Sequence, residues 1–160
     1  MGHTLYGLAN EFSDEDYFTV LDKVKSAKAR YAKQTIHDGV DSLVVDFGTW
    51  VDSCRKGVPQ SLEAMFSQMP VYDEIESFRT GFRVGTEVYD TYLRTIKSFS
   101  YQEELKKKRH ALRLAFNFRD MREFGRFNPT LSPLQVEIVS ELAKLPNDYV
   151  YNDALKIAWS

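Results

Sequence analysis

Two aspartates one residue apart, Asp14 and Asp16, stand immediately before an aromatic and β-branched run at residues 17–20. Such a run predicts a β-strand. Because residues i and i+2 of a strand lie on the same face, we expect the two carboxylates to share a face and to hold one cation between them. The spacing predicts a metal site, and other residues must indicate the reaction.

A third acid, Asp41, lies near the start of segment 39–47, whose β-branched density predicts a buried strand. If this strand pairs with the strand that holds Asp16, three carboxylates converge. An oxygen-rich site of this kind suits Mg²⁺, which keeps several waters and bridges protein carboxylates to substrate phosphates. The three aspartates therefore predict a magnesium site.

The chain also begins with a glycine-led segment, residues 2–7, just ahead of the first two acids. We interpret this segment as a turn with exposed backbone N–H groups, which is what a phosphate needs beside such a metal. Carboxylates and a phosphate-binding turn together indicate phosphoryl or nucleotidyl transfer.

The elements that position these residues divide the chain into two parts. Segment 21–33 is predicted as a short helix or a connector, and the strand of 39–47 follows it. The sequence then predicts helices over 49–55, 61–66, 73–99 and 101–124, with weak points at Gly81 and Gly85 in the third and an end at Gly125 for the fourth. A fifth helix begins at Ser132-Pro133, and a last one runs from Asp148 to about Trp159. The predicted fold class is therefore α+β. A small sheet-and-helix domain over residues 1–70 is followed by a helical region over residues 71–160.

Composition limits the possible classes of protein. The 160 residues are 43% hydrophobic with a formal net charge of -2, which excludes a disordered chain and gives no global attraction for nucleic acid. The single cysteine, Cys54, predicts a reducing compartment, and no apolar run is long enough to span a bilayer. We expect a cytoplasmic protein without membrane partners.

Four separated segments carry a resemblance to a known family. They are Gly2-His3-Thr4-Leu5-Tyr6-Gly7-Leu8-Ala9 with Ser13-Asp14-Glu15-Asp16-Tyr17; Asp41-Ser42-Leu43-Val44-Val45-Asp46-Phe47; Lys56-Gly57-Val58-Pro59 with Leu62-Glu63; and Lys107 with His110-Ala111-Leu112-Arg113-Leu114. In this order they resemble the motifs of the DNA polymerase beta-like nucleotidyltransferase superfamily, in particular its bacterial and phage "predicted nucleotidyltransferase" branch. The resemblance extends to about Leu142.

The resemblance implies a magnesium-dependent enzyme that moves a nucleoside monophosphate from an NTP to a hydroxyl group of a protein, an RNA or a small molecule. By this resemblance Asp14 and Asp16 hold the catalytic Mg²⁺ ions. Asp41 completes the metal site as base or ligand, and the backbone of Gly2 and His3 receives the triphosphate. Asp46 is the alternative third acid, because positions 41 and 46 fall on opposite faces of one strand and cannot both line the site.

Two departures from the family pattern define an alternative. The family places a hydrophobic strand before the glycine turn, so the 1–70 domain is expected to lack its first strand, and His3 replaces a serine that contacts phosphate. A sheet edge left open would expose unpaired backbone and would invite a partner strand or a second copy. The alternative is a catalytically impaired, phage-encoded protein of this family that acts by binding a partner protein.

A basic segment at residues 106–126 is the third feature that indicates a function. On a helix, His110, Arg113 and Asn117 lie on one face. One interpretation is a solvated face with a buried histidine. The other is that His110 and Arg113 hold the nucleotide or a nucleic-acid phosphate, since an arginine fork binds phosphate bidentately.

Overall fold

The computed structural model describes residues 2–9, 15–21, 32–37, 40–68, 71 and 73–160. The chain forms two compact units, Met1–Arg83 and Val84–Ser160. Strands and three helices make up the described part of the first unit, and four helices make up the second. The prediction of an α+β chain with a small sheet followed by a helical region is confirmed. The predicted domain division after residue 70 stays a prediction, and the boundary between the two compact units falls after Arg83 in the sequence.

The sheet of the first unit contains strands β1 (Gly2–Ala9), β2 (Glu15–Leu21), β3 (Ala32–His37) and β4 (Val40–Val45) in the order β1-β2-β4-β3. β2 pairs with β1 in antiparallel and with β4 in parallel orientation, and β3 pairs with β4 in antiparallel orientation. The two central strands are therefore the pair that carries Asp16 and Asp41. Buried Phe18, Val20 and Val45 supply the contribution of these strands to the core.

Three helices follow the sheet in the first unit: α1 (Phe47–Lys56), α2 (Pro59–Phe66) and α3 (Asp73–Gly81). Gly57 ends α1 with a φ of 86°, a left-handed conformation that glycine adopts without strain. Pro59 then occupies the first turn of α2, where its missing N–H costs no helical hydrogen bond. The predicted break between the helices of 49–55 and 61–66 is thus confirmed, with α1 ending at Lys56 and α2 beginning at Pro59.

An aromatic cluster holds α1, α2 and α3 together. Trp50 is fully buried, and its ring centroid lies 6.1 Å from that of Phe47 and 5.3 Å from that of Phe78. Its indole Nε1–H donates to the carbonyl oxygen of Ser61 at 3.1 Å, so the ring is buried without an unsatisfied donor. Phe78 of α3 is thus part of the same cluster as Phe47 and Trp50 of α1.

The second unit contains α4 (Thr86–Ser100), α5 (Leu105–Phe124), α6 (Pro133–Leu142) and α7 (Asn147–Ala158). α5 is the central helix, because it packs against each of the other three. Eight consecutive residues of α5, 111–118, are buried, which is the pattern of a helix surrounded by others. The core of this unit is therefore built around α5.

The single helix predicted over residues 73–99 is two helices, α3 and α4, separated by residues 82–85. The break falls at the glycines that the sequence marked as weak points. The predicted start at Ser132-Pro133 is confirmed, since Ser132 accepts from the N–H of Gln135 and the Gln135 side chain accepts from the N–H of Ser132. Within the described part of the chain, no helix combines the length and apolar character needed to cross a bilayer.

Candidate metal and phosphate site

Asp16 and Asp41 are register partners on the parallel strands β2 and β4. The expected pairing of these two strands is confirmed, and it aligns these two positions directly. Adjacent strands lie about 4.8 Å apart, so the backbones of the two residues are near neighbours across one ladder. Asp16 is the second residue of β2, and Asp41 is the second residue of β4. Both acids therefore lie at the same end of the parallel pair.

Asp14 lies outside the described residues, as do the side chains of Asp16 and Asp41. Among the side chains that the structure describes, no three of His, Cys, Asp and Glu are grouped so that they could hold a metal ion. The three predicted aspartates are not among those side chains. Their assignment as magnesium ligands stays a prediction, which the register of β2 and β4 supports.

Asp46, the alternative third acid, is the N-cap of α1. Its carboxylate accepts a hydrogen bond from the backbone N–H of Thr49 at 3.2 Å and another from the Thr49 hydroxyl. Asp46 is only 3% exposed, so its charge is withdrawn from solvent and engaged at the start of the helix. Its observed role is to satisfy donors at a helix terminus, where a negative charge is also favoured by the helix dipole.

Gly2 and His3, predicted to receive the triphosphate, belong to strand β1 and pair with Leu21 and Val20 of β2. The prediction of a glycine-led turn over residues 2–7 is therefore wrong. The physical reason is that Thr4 and Tyr6 are residue types that favour extended backbone, and β2 offers residues 2–9 a ladder of hydrogen bonds. The predicted phosphate-binding role of the Gly2 and His3 backbone required this turn, and these residues are in a strand instead.

His110 is packed inside the second unit, with its ring centroid 5.3 Å from that of Phe99. Burial, together with the smaller effect of the positive charges of Arg113, Lys107 and Lys106, lowers the pKa of His110 to about 4. The imidazole is therefore neutral at pH 7. The His110 side chain is half-buried, and its assignment as a nucleotide-binding residue stays a prediction.

Arg113 lies one turn further along α5 and is 6% exposed. Its Nη2 donates to the carbonyl oxygen of Pro129, in the segment between α5 and α6. Asn117, on the same helix face, is 1% exposed. On the face that the sequence predicted over His110, Arg113 and Asn117, the last two side chains are thus buried within the second unit and His110 is half-buried.

The other cations of the 106–126 segment divide between the interior and the surface. Lys108 is 6% exposed and donates to the backbone carbonyls of Ser100 and Gln102. Arg122 lies over the Trp159 ring at 4.9 Å and donates to the carbonyl of Ala158 at 2.8 Å. These residues stabilise the helix packing, so the basic surface that the segment offers to nucleic acid is smaller than the sequence indicates.

The structural roles of Lys108 and Asn117 were not identified from the sequence. Lys108 belongs to the basic segment that one interpretation places on a solvated face, yet it donates to carbonyls at the end of α4 and in the α4–α5 connection, which only the packing of the two helices reveals. The sequence analysis placed Asn117 on the same helix face as His110 and Arg113 but assigned it no role. The structure adds that its side chain is buried. The single cysteine, Cys54, is buried, and desolvation raises its pKa well above the ordinary value.

Comparison of the chain with protein-family models, with curated proteins and with solved structures finds no match. The chemistry is therefore argued from the residues and their placement. Two carboxylate-bearing positions aligned on a parallel strand pair can present hard oxygen ligands to a divalent cation.

Proposed function

We propose that the protein is a cytoplasmic, magnesium-dependent nucleotidyltransferase that moves a nucleoside monophosphate from an NTP to a hydroxyl group of a protein, an RNA or a small molecule. The observation that carries this proposal is the register pairing of Asp16 and Asp41 on β2 and β4. Register partners on adjacent strands are near neighbours across one ladder, and two ligands of one ion need such proximity.

The donor set fits the metal. Carboxylates are the oxygen ligands with which Mg²⁺ is held beside substrate phosphates, and adjacent strands bring two such groups within reach of one ion. When bound, Mg²⁺ neutralises charge on the triphosphate and lowers the pKa of the attacking hydroxyl. Asp16 and Asp14 hold the ion in this proposal, and Asp41 completes its coordination or accepts the proton of the attacking hydroxyl.

The acceptor oxygen then forms a bond to the α-phosphorus of the NTP. The bond between that phosphorus and the oxygen bridging to the β-phosphorus breaks, and pyrophosphate leaves with the electron pair. The proton of the acceptor hydroxyl passes to Asp41 or to water. The step needs no oxidant or reductant. Its products are the nucleotidylated acceptor, pyrophosphate and one proton.

The test is transfer of label from α-³²P-NTP, scored with Asp16→Asn, Asp41→Asn and the matched control Asp46→Asn. We expect the first two variants to lose Mg²⁺-dependent transfer, by about 10²–10⁴-fold where Asp41 acts as the base. Asp46→Asn should retain transfer, because asparagine caps a helix as well as aspartate does. The acceptor is supplied by a lysate fraction that contains protein, RNA and small molecules, and the labelled class is then identified.

Two results would contradict the proposal. One is transfer that is unchanged in both Asp16→Asn and Asp41→Asn. The other is the absence of NTP binding by the wild-type protein in the presence of Mg²⁺, measured as a thermal shift with each of the four NTPs. Circular dichroism of each variant establishes that the loss of transfer is not a loss of fold.

A second candidate function is supported by β1. Because Gly2 and His3 lie in a strand instead of a turn, the described residues lack the glycine turn that the resemblance placed beside the acids. A protein of this ancestry without that turn would act by binding a partner protein. Sedimentation as a monomer with no co-purifying protein, together with NTP turnover, would contradict this candidate.

A further inference from the structure

Strand β3 lies at one end of the sheet, where β4 is its neighbour among the described strands. Residues 32–36 of β3 are all exposed, although the side chains of a strand alternate between its two faces. Both faces of β3 are therefore open to solvent over these five residues. An edge strand of this kind offers backbone N–H and C=O groups with which another strand can pair.

One face of β3 belongs to the core side of the sheet. Ala32 is the register partner of Val45, which is buried. Residues 32, 34 and 36 therefore lie on the core side of the sheet, where Ile36 is nevertheless 73% exposed. A further strand beside β3 would remove apolar surface of Ile36 from water, which favours pairing.

The sequence of residues 32–36, Ala-Lys-Gln-Thr-Ile, is complementary to itself when two copies run antiparallel. With Gln34 opposite Gln34 of the second copy, Ala32 faces Ile36 and Lys33 faces Thr35. All five exposed residues then have a cross-strand partner, and a small side chain meets a large one. Like charges directly opposite each other are destabilising, and this register keeps the two lysines apart.

We propose that β3 is a self-association surface at which two copies of the chain pair through antiparallel β3 strands in this register. Outward-facing residues alternate along an antiparallel strand, and the register brings those of one copy opposite those of the other, so that their N–H and C=O groups bond. The two sheets then become one continuous sheet. The pairing does not depend on NTP transfer, since β3 carries none of the proposed metal ligands.

The expected dimer is weak. Five paired residues extend over about 17 Å, whereas stable interfaces use about 20–30 residues a side. Sedimentation velocity of the full chain from about 10 μM to about 1 mM should therefore show a monomer–dimer equilibrium that shifts to monomer on dilution.

Charges at position 35 test the register. Thr35→Glu places a carboxylate opposite Lys33 and should tighten the dimer about threefold to tenfold, because the two-fold axis creates this pair twice. Thr35→Lys places lysines opposite each other and should weaken the dimer by a similar factor. The double variant Lys33→Glu, Thr35→Lys restores opposite charges and should dimerise like Thr35→Glu.

Thr86 provides the matched control, because it is exposed at the start of α4 in the second unit. Thr86→Glu and Thr86→Lys change the net charge in the same way and should leave the dissociation constant unchanged. Circular dichroism of each variant establishes that the fold is retained.

A disulfide tests the two-fold position directly. Residue 34 meets its own copy at a Cα–Cα distance of about 4.5–5.5 Å, which a disulfide can bridge. Gln34→Cys should therefore give a covalent dimer on oxidation. Lys33→Cys should form far less of it, because the two copies of residue 33 are diagonal neighbours about 7–8 Å apart. Cys54 is buried, so the wild-type chain should give no covalent dimer.

The proposal is overturned if the wild-type chain sediments as a monomer at about 1 mM, or if a dimer forms that does not respond to charge at position 35. Weakening by both Thr35→Glu and Thr35→Lys would place Thr35 opposite itself and refute the register. A monomer that sediments with a different protein would assign the edge to a foreign strand and refute self-pairing. A β3 dimer without NTP transfer would refute the enzyme and retain this surface.

Discussion

The carboxylate of Asp46 accepts hydrogen bonds from both the backbone N–H and the side-chain hydroxyl of Thr49. This pair fixes the point at which β4 ends and α1 begins, since Val45 is the last residue of the strand and Phe47 the first of the helix. Asp46, which the sequence analysis gave as the alternative to Asp41 in the metal site, thus caps helix α1. Replacing Asp46 should therefore change the free energy of unfolding and not the proposed transfer activity.

Asp46→Ala should lower the free energy of unfolding by about 1–2 kcal/mol, because the first turn of α1 loses its side-chain cap. Asp46→Asn should change it by less than about 0.5 kcal/mol, since the amide oxygen still accepts from the Thr49 N–H and the amide NH₂ can donate to the Thr49 hydroxyl. Urea denaturation followed by far-ultraviolet circular dichroism measures both variants. Equal destabilisation by alanine and asparagine would mean that the negative charge, rather than the cap, is what the site requires.

Gly125 ends α5 with a φ of 75°, and no heavy atom lies within 4 Å of the place where a Cβ would stand. Gly125→Ala should therefore be destabilising by about 1 kcal/mol through backbone strain alone. Gly125→Asn is the matched control, because asparagine tolerates the left-handed conformation and should cost less than alanine. Thermal unfolding compares the two variants, and an alanine variant as stable as wild type would contradict the assigned conformation.

Local signals in the sequence were sufficient where a single residue type decides the backbone. The capping box at Ser132 and the helix end at Gly125 are of this kind, because serine supplies an acceptor and glycine a left-handed φ without help from distant residues. The break between α3 and α4 also follows from residues within it. These features fix where α5 ends and where α6 begins, and they can be identified without any knowledge of tertiary contacts.

Features that depend on a distant partner were not predictable. Residues 2–7 are compatible with a turn or with a strand, and only the pairing of β1 with β2 decides between them. Asp46 was assigned to the opposite face of a strand from Asp41, but β4 ends at Val45, so the alternation of faces no longer applies. In the candidate site, the alignment of Asp16 with Asp41 was expected from pairing alone, while the burial of Arg113 and Asn117 depends on three surrounding helices.

His110 makes stability depend on pH in a predictable direction. Its pKa is about 4 in the folded chain and 6.5 in a model peptide, so between these values the unfolded state binds the proton and the folded state does not. Stability is therefore fully present above about pH 6.5 and is lost as the pH falls towards 4, with a total contribution of about 3 kcal/mol. His110→Phe keeps an aromatic ring against Phe99 and cannot titrate, so its unfolding free energy should fall less steeply than that of wild type over this range. Urea unfolding at half-unit steps from pH 7 to pH 4 measures the difference, and parallel pH profiles for the two proteins would show that the imidazole titrates normally and is not buried as described.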